Sequence, residues 1–279
     1  MALLLIHAGF GLYAPASAQK LPVTIDQALA NGDTLITVKG PRINLIVDYL
    51  NPVNYRGRTF GVRQWGLHPT LRYTSASGWS AFVTGYIWTD SQQTRWAKTD
   101  LGIEKEGQIG PYWSYSVGYE RWFFEGDLED RTSLTNFTGL TVSREIGNWT
   151  ATGGVYYMFG TDQLLQHDLL LSHRFDLLEN RRVAIWFEPG GRAVLANQSS
   201  EFAAVIGLVG KKRTVVTPGG TNHTFGLVDL EIDTALTIQT PRWTLILDPH
   251  LAKPLNTLDG ESPRAFFYLS ASLLRTFKL

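Results

Sequence analysis

The stretch GLVDLEIDTALTIQT, residues 226–240, decides the fold, because apolar and polar side chains alternate along almost its whole length. Side chains on a β-strand point alternately to its two faces, so this period predicts a strand with one apolar and one polar face. In a soluble sheet the polar face looks out to water. In a barrel that crosses a membrane the faces are reversed, and the apolar face meets lipid. The apolar positions are even and the acidic ones odd: Val228, Leu230, Ile232, Leu236 and Ile238 against Asp229, Glu231 and Asp233.

The composition excludes several classes of protein. The chain of 279 residues has no cysteine, which rules out a disulfide framework, a thiolate metal site and a lipid-anchored N-terminal cysteine. Its formal net charge is zero, so nothing indicates a nucleic acid partner. Charged residues make up only 18% of the chain, and aromatic residues 12%, with nine tryptophans. The charged fraction lies below the usual quarter of a soluble chain.

The N-terminal segment is predicted to be a targeting signal. The apolar run LLLIHAGFGLYAP is followed by the small-residue site ASA at 16–18, although no Lys or Arg precedes the run. We therefore expect residues 1–18 to be a signal peptide that is removed on export. Residues 19–41 are expected to be a segment that either plugs the following domain or lies in the periplasm. Its capping-box spacing at Thr24 and Gln27 predicts one short helix near residues 24–31. Residues 42–279 are predicted to be a single β-domain.

Twelve strand-like segments are predicted in that domain. Many are 9–14 residues long, whereas strands of soluble proteins are mostly nearer about five or six residues. Tilted strands of about 9–11 residues are the length that a bilayer requires. The segments lie near 42–51, 69–76, 78–89, 95–106, 110–124, 133–144, 147–159, 163–175, 181–189, 223–238, 241–252 and 264–278.

The connections alternate in length. Every second connection is a short turn, with the sequences SASG, EGQIG, EIGN, LLENR and QTP. The connections between them are mostly longer, and the one that begins at Gly190 has about thirty residues. Short turns at one end and long loops at the other are the layout of an up-and-down membrane barrel, with the short turns in the periplasm.

The aromatic residues support this layout. The first outward residues of the strands that leave the short-turn end are tryptophans, and the strands that arrive there end in phenylalanine. A ring of aromatic residues at one height is typical of a membrane interface. We therefore predict a membrane girdle formed by Trp79, Trp113, Trp149, Trp243, Phe175 and Phe277.

The C-terminal segment RAFFYLSASLLRTFKL, residues 264–279, completes the pattern with alternating apolar residues. With these strands, turns and girdles, residues 42–279 resemble the porin-like outer-membrane β-barrel proteins of Gram-negative bacteria, without a specific subfamily. The chain departs from that family in ending on Leu279 and in placing Arg275 on the apolar face. The resemblance implies a location in the outer membrane, contact with lipid and lipopolysaccharide, and insertion by the barrel-assembly machinery, and it leaves oligomer formation open.

The same parity predicts which charged residues line the interior. Charges of both signs occur there, and the densest group lies on the strands that flank the QTP turn. The predicted luminal residues are Lys98, Glu104, Asp168, Arg174, Arg182, Glu188, Asp229, Glu231, Asp233, Arg242, Asp248 and His250. Arg72, Asp100, Glu120 and Trp186 share this parity.

Antiparallel pairing across the QTP turn predicts that Glu231 lies beside Asp248 or His250. Three interpretations of this acidic group remain open. The acids pair with Arg174, Arg182 or Arg242 and neutralise the interior; they form a constriction that selects among solutes; or they bind a divalent cation or carry out acid–base chemistry with His250. No spacing defines a metal site, and no cofactor is predicted.

The predicted function is a passive or weakly selective channel for small hydrophilic solutes. One alternative is a non-conducting structural subunit of an outer-membrane assembly. A second is a lipid-modifying barrel enzyme, for which His167 and His173 on the outward face of the eighth strand are the only candidates. Because the sequence has no G-x-S-x-G, H-E-x-x-H or Walker-type motif, we predict no catalytic residues.

Overall fold

The computed structural model describes residues 40–51, 65–89, 94–125, 134–161, 163–197, 225–255 and 264–279. The expected signal peptide, short helix and plug fall at residues 1–39 and so lie outside this part of the chain. No helix of the described residues is long and apolar enough to cross a membrane.

The described residues form thirteen β-strands. Strands β8 and β9 both pair with β10 and are separated only by Arg174, so they occupy one place in the wall. The strands are β1 (Arg42–Asn51), β2 (Trp65–Thr74), β3 (Trp79–Thr89), β4 (Thr94–Ile109), β5 (Trp113–Phe124), β6 (Leu134–Ile146), β7 (Trp149–Gly160), β8 (Gln163–His173), β9 (Phe175–Glu179), β10 (Ala184–Asn197), β11 (Phe225–Gln239), β12 (Trp243–Pro254) and β13 (Phe266–Lys278).

The sheet closes on itself into a barrel. Apart from β8 and β9, which both pair with β10, each strand pairs antiparallel with its neighbours in the sequence. Strand β13 returns to pair with β1 from Arg42↔Lys278 to Asn51↔Leu269. With β8 and β9 counted as one wall position, the barrel has twelve positions. The prediction of an up-and-down barrel of about twelve strands is therefore confirmed.

The two ends of the barrel differ as predicted. At one end the strands are joined by residues 75–78, 110–112, 147–148, 180–183 and 240–242. Gly78, Gly110 and Gly147 in these turns have φ of 82°, 67° and 59°, values that residues with a Cβ rarely adopt. At the other end the intervals between strands are mostly longer, up to residues 198–224. We call the end of the barrel with these tight turns the short-turn end.

Residues 226–239 of β11 show which face of a strand lies outside the barrel and which lies inside. On β11, Leu230 and Ile232 are 43% and 59% exposed on the outside, while Asp229, Glu231 and Asp233 are 0%, 5% and 2% exposed on the inside. Aliphatic side chains on the outside of a closed barrel and carboxylates on the inside are the arrangement that lipid requires. The predicted parity of these five residues is confirmed.

Val228 is an exception, and its prediction as a lipid-facing residue is wrong. Val194 pairs with Asp229, but the next residue, Leu195, pairs with Leu227, so Val228 is the extra residue of a β-bulge. The bulge turns Val228 inward, where it is 0% exposed and packs against Val194 and Ala196.

The six girdle residues all lie on the outer face beside the short-turn end. The four tryptophans are the first residues of β3, β5, β7 and β12, Phe175 is the first residue of β9, and Phe277 is the second-last of β13. Arg275, which interrupts the apolar face, lies over the rings of Trp243 and Phe277 at 4.9 Å from each centroid. An arginine stacked on interfacial aromatics keeps its charge near the headgroups rather than in hydrocarbon.

A depth-matched pair of substitutions tests the lipid-facing surface. Ile232→Lys, in the middle of β11, should lower the free energy of unfolding by about 2–4 kcal/mol, because a charge at the bilayer midplane is costly. Ile109→Lys, on the same face but beside a short turn, should cost about 1 kcal/mol or less. Urea unfolding in lipid vesicles, followed by tryptophan fluorescence, measures both. Equal costs at the two positions would contradict the membrane depth assigned to them.

Candidate functional site

The barrel interior is divided into three tiers along its axis. Nearest the short-turn end is a hydroxyl tier, which includes the buried Ser80, Ser114, Ser143, Thr244 and Thr276. The middle is an acidic tier, whose carboxylates and histidines lie five to nine residues from the short-turn end of their strands: Asp48, His68, Asp100, Glu120, Asp168, Glu231, Asp233, Asp248 and His250, with Arg192. Above it is an aromatic tier, which includes Trp88, Trp122, Phe137, Met158 and Leu164.

Arg192 on β10 joins two acids of the middle tier. Its guanidinium pairs with Asp168 on β8, and its Nη1 lies 3.6 Å from Glu231 Oε2 on β11. The Glu231 carboxylate also accepts a hydrogen bond of 3.1 Å from the Tyr268 hydroxyl, and Asp168 accepts one of 2.7 Å from Gln166. These charge-assisted bonds hold both carboxylates in the interior.

A second group lies next to it on β11 and β12. Asp233 pairs directly across the sheet with His250, and His250 Nε2 lies 3.1 Å from Asp248 Oδ2. The register predicted from sequence is wrong here, because Glu231 lies opposite Ala252 and not beside Asp248 or His250. The turn that sets the register comprises residues 240–242. The partner of Glu231 is therefore Ala252, the next inward-facing residue of β12 after His250.

The opposite wall buries a lysine among aromatic rings. Lys98 is 1% exposed, and its Nζ lies 2.8 Å from Asp100 Oδ2. The same Nζ is 4.0 Å from the centroid of Tyr86 and 4.4 Å from that of Trp122, which are cation–π distances. The Trp122 indole in turn donates a 3.0 Å hydrogen bond to Glu120. Lys98 is therefore held by its neighbours at the boundary between the acidic and aromatic tiers.

Arg72 neutralises part of the same wall nearer the short turns. Its Nη1 lies 2.7 Å from Glu104 and 3.3 Å from Glu106, and its guanidinium covers the ring of Phe82. Glu104 also accepts a hydrogen bond from Ser116. This group is an ion-pair network of the wall.

The described interior carries an excess of negative charge. Ten carboxylates are buried, whereas Arg42 and Lys98 are the only buried cationic side chains among the described residues. The partly buried Arg72 and Arg192 pair with some of these carboxylates, and the buried carboxylates still outnumber the cations that pair with them. The buried carboxylates are Asp48, Asp100, Glu104, Glu120, Asp168, Glu188, Asp229, Glu231, Asp233 and Asp248.

Three of the predicted luminal arginines do not lie in the acidic tier. Arg182 and Arg242 are exposed residues of the short turns and do not face the lumen, since β10 begins only at Ala184 and β12 only at Trp243. Arg174 lies between β8 and β9, where it pairs with Asp176 at 2.5 Å and stacks on Trp186. The idea that these arginines neutralise the acids on β11 is therefore wrong. The other predicted luminal residues are all buried inside: Lys98, Glu104, Asp168, Glu188, Asp229, Glu231, Asp233, Asp248 and His250.

The cation that binds this acidic group, Arg192, was missed from the sequence. The predicted ninth strand ends at Pro189, because Pro-Gly-Gly indicates a loop. The strand in fact continues to Asn197. The available signal is parity, since Glu188, Arg192 and Val194 fall on one face of a continued strand.

The two outward histidines contact aromatic rings. His173 packs edge-on against Trp149 at 4.7 Å, and His167 against Phe225 at 5.4 Å. The cross-strand partners of His167 are Val155 and Leu195. No serine is therefore paired directly across from either histidine in the described sheet.

Comparisons with known proteins agree on the fold. No protein-family model and no curated protein matches the sequence. Among solved structures, LpxR from Salmonella typhimurium is similar at 12% identity and a TM-score of 0.51, over 84% of this chain and 100% of that one. An outer-membrane channel from Pseudomonas putida F1 is similar at 11% identity and a TM-score of 0.50, over 88% of this chain and 98% of that one. The chain therefore has the fold of the bacterial outer-membrane β-barrel proteins, with the apolar exterior that this fold presents to lipid.

Removing Arg192 tests the ion pairs of the acidic tier. Arg192→Met should lower the free energy of unfolding by about 3 kcal/mol or more, because it leaves two carboxylates without their cation in the barrel interior. Adding Asp168→Asn and Glu231→Gln to the same chain should recover part of this loss. Arg121→Met, at an exposed arginine of the outer face, is the control and should cost less than about 1 kcal/mol. Urea unfolding of the wild-type protein and the three variants decides, and no difference between the two arginines would contradict the assigned ion pairs.

Proposed function

We propose that this protein is a narrow, cation-preferring channel for small hydrophilic solutes. The observation that carries the proposal is the excess of buried carboxylates in the middle of the barrel. Rings of acidic side chains favour cations and oppose anions in a pore, because they set the electrostatic potential along the path. Twelve strands lie between the eight of a barrel filled by side chains and the sixteen of a wide porin, which favours a narrow path.

The cations of the interior do not cancel this preference. Lys98 is bound to Asp100, and Arg192 is shared between Asp168 and Glu231. Each of them neutralises neighbouring acids, and the buried carboxylates of the described interior still outnumber its buried cations. A solute cation that reaches the acidic tier therefore gains favourable interactions that a solute anion does not.

The aromatic tier is the proposed constriction. Trp122 stacks on Phe137 with ring centroids 5.8 Å apart, and Phe137 stacks on Tyr156 at 5.5 Å. All three rings are less than 5% exposed, so they fill much of the interior towards the long-loop end. Bulky rings at this level limit the size of a solute, while the carboxylates below them select its charge.

A closed barrel with a structural role is the second candidate. It is favoured by the depth of burial of the acidic tier, where Asp248 and Ser270 are both 0% exposed. In that case the ion pairs and stacked rings serve only to fill the interior. We do not propose a lipid-modifying enzyme, because a Ser–His pair on the outer face lacks a serine across the sheet from His167 or His173 in the described strands.

Charge neutralisation tests the proposed selectivity. The variant Asp229→Asn/Glu231→Gln/Asp233→Asn removes three interior charges at nearly unchanged side-chain volume. In planar bilayers under a potassium chloride gradient, the wild-type reversal potential should indicate cation preference, and that of the variant should move towards zero. Asp176→Asn removes an exposed acid at the short-turn end and should leave the reversal potential unchanged. A folded wild-type barrel that never conducts would favour the closed-barrel candidate.

Opening the aromatic tier tests the constriction. Trp122→Ala should raise the single-channel conductance several-fold, because it removes a ring that is 2% exposed in the interior. Trp113→Ala removes the same side chain from the outer girdle of the same strand and should leave the conductance unchanged. Single-channel recordings compare the two, and an unchanged conductance in Trp122→Ala would contradict a constriction at this tier.

A further inference from the structure

We infer that Asp233, Asp248 and His250 form a binding site for one divalent transition-metal ion, of the class of Zn²⁺. One potential ligand atom from each of the three residues lies within 4.8 Å of the other two. All three side chains are buried, at 2%, 0% and 1% exposure, on the inward faces of β11 and β12. The inference goes beyond the proposed function, because it requires no conduction.

The donor set indicates the class of metal. Two carboxylate oxygens and one imidazole nitrogen suit zinc and neighbouring first-row divalent ions, whereas calcium and magnesium prefer ligands that are all oxygen. Because the chain has no cysteine, no thiolate competes for such an ion. Three protein ligands leave at least one coordination position for water.

Neighbouring groups hold the three ligands in place. The ring of Tyr268 stacks on that of His250 at a centroid distance of 4.2 Å and an interplanar angle of 4°, which fixes the plane of the imidazole. The Thr234 amide donates a 3.2 Å hydrogen bond to Asp248 Oδ1, which orients that carboxylate. Groups behind the ligands that fix their orientation in this way are common in metal sites.

Gly190 supplies a separate observation. It lies directly across the sheet from Asp233, and a Cβ built on it would lie 2.3 Å from Asp233 Oδ1. Any other residue at this position would therefore displace the carboxylate. The absence of a side chain at Gly190 thus leaves room for the Asp233 carboxylate. This observation does not depend on how many acidic residues lie nearby.

Electrostatics also favours a bound ion. Two carboxylates side by side in a buried interior are costly unless a positive charge lies between them. Protonated His250 would supply one positive charge, whereas a divalent ion supplies two and uses the imidazole as a ligand. The experiment therefore has to distinguish a bound metal ion from a protonated histidine.

The test is metal titration of the untagged, full-length barrel, refolded in detergent and stripped with a chelator. Zn²⁺ in isothermal titration calorimetry should show one site per barrel. Co²⁺, used as an absorbing substitute, should give visible d–d bands that Zn²⁺ abolishes. Asp233→Asn and Asp248→Asn should each weaken binding by more than about tenfold, since each removes a ligand. Gly190→Ala should also weaken it, although every ligand remains.

The controls separate this site from other metal binding. Glu120→Gln neutralises a buried acid of the opposite wall, and His167→Ala/His173→Ala removes the two outward histidines, so neither should change the affinity. A variant is counted as folded if its barrel resists unfolding in unheated SDS. If an aspartate variant fails this check, His250→Gln is titrated in its place. No binding to the wild-type barrel, or equal binding to all folded variants, would overturn the inference. Because conductance is not measured, failure of the proposed channel would leave this result unaffected.

Discussion

The pairing of β13 with β1 is the interaction on which the rest of the structure depends. Ten residue pairs, from Arg42↔Lys278 to Asn51↔Leu269, join the two ends of the chain and close the sheet. Inside a bilayer no water is available to satisfy an open edge, so a β-structure can span the membrane only as a closed barrel. Once the barrel is closed, every strand has one face in lipid and one face in the interior.

The closed wall then determines where charge can lie. The outer face carries aliphatic residues such as Ile232 and Leu230, so most of the carboxylates that the described strands contain at membrane depth are directed inward. Buried carboxylates need partners, and in the acidic tier Arg192 and Lys98 form ion pairs with them. Hydroxyl groups also contribute, such as that of Ser272, which donates a 2.6 Å hydrogen bond to Asp48. The carboxylates still outnumber the cations of the described interior, and both proposals follow from this excess. A channel would use it to prefer cations, and a metal site would use part of it to bind one.

The order of the three tiers makes the interior different at the two ends of the barrel. Small hydroxyl side chains lie near the short turns, carboxylates lie in the middle, and stacked rings such as Trp122 and Phe137 lie towards the longer connections. A hydrated ion that entered from the short-turn end would meet groups of increasing charge before it met the rings. The aromatic tier is therefore the place where the passage of solutes would be limited by size.

The sequence predicts the wall of this barrel far better than its interior. Alternation is a local property, so the strands, the short turns and the inward parity of Asp233 and His250 follow from residues close together in the chain. The inward turn of Val228 depends on a bulge opposite Val194, which no local period reveals.

The interior contacts depend on pairings between distant strands. Arg192 reaches Asp168 and Glu231 only because β8 and β11 flank β10, and Tyr268 stacks on His250 only in the register that β12 and β13 adopt. The turn between β11 and β12 comprises residues 240–242, and the sequence pattern alone does not define where it begins. The partners of each charge were therefore predicted poorly, although the inward parity of most of the charges was predicted correctly.

The most direct test of the central claim is to measure which side chains of β11 touch lipid. Because the chain has no cysteine, single cysteines can be placed at each position from 229 to 239 and labelled with a small fluorophore. In vesicles that contain brominated or spin-labelled lipid, fluorescence at positions 230, 232, 236 and 238 should be strongly quenched, and fluorescence at 231, 233, 235 and 237 should not. Quenching that does not alternate, or that is strongest at the acidic positions, would contradict a lipid-facing aliphatic face and an acidic interior.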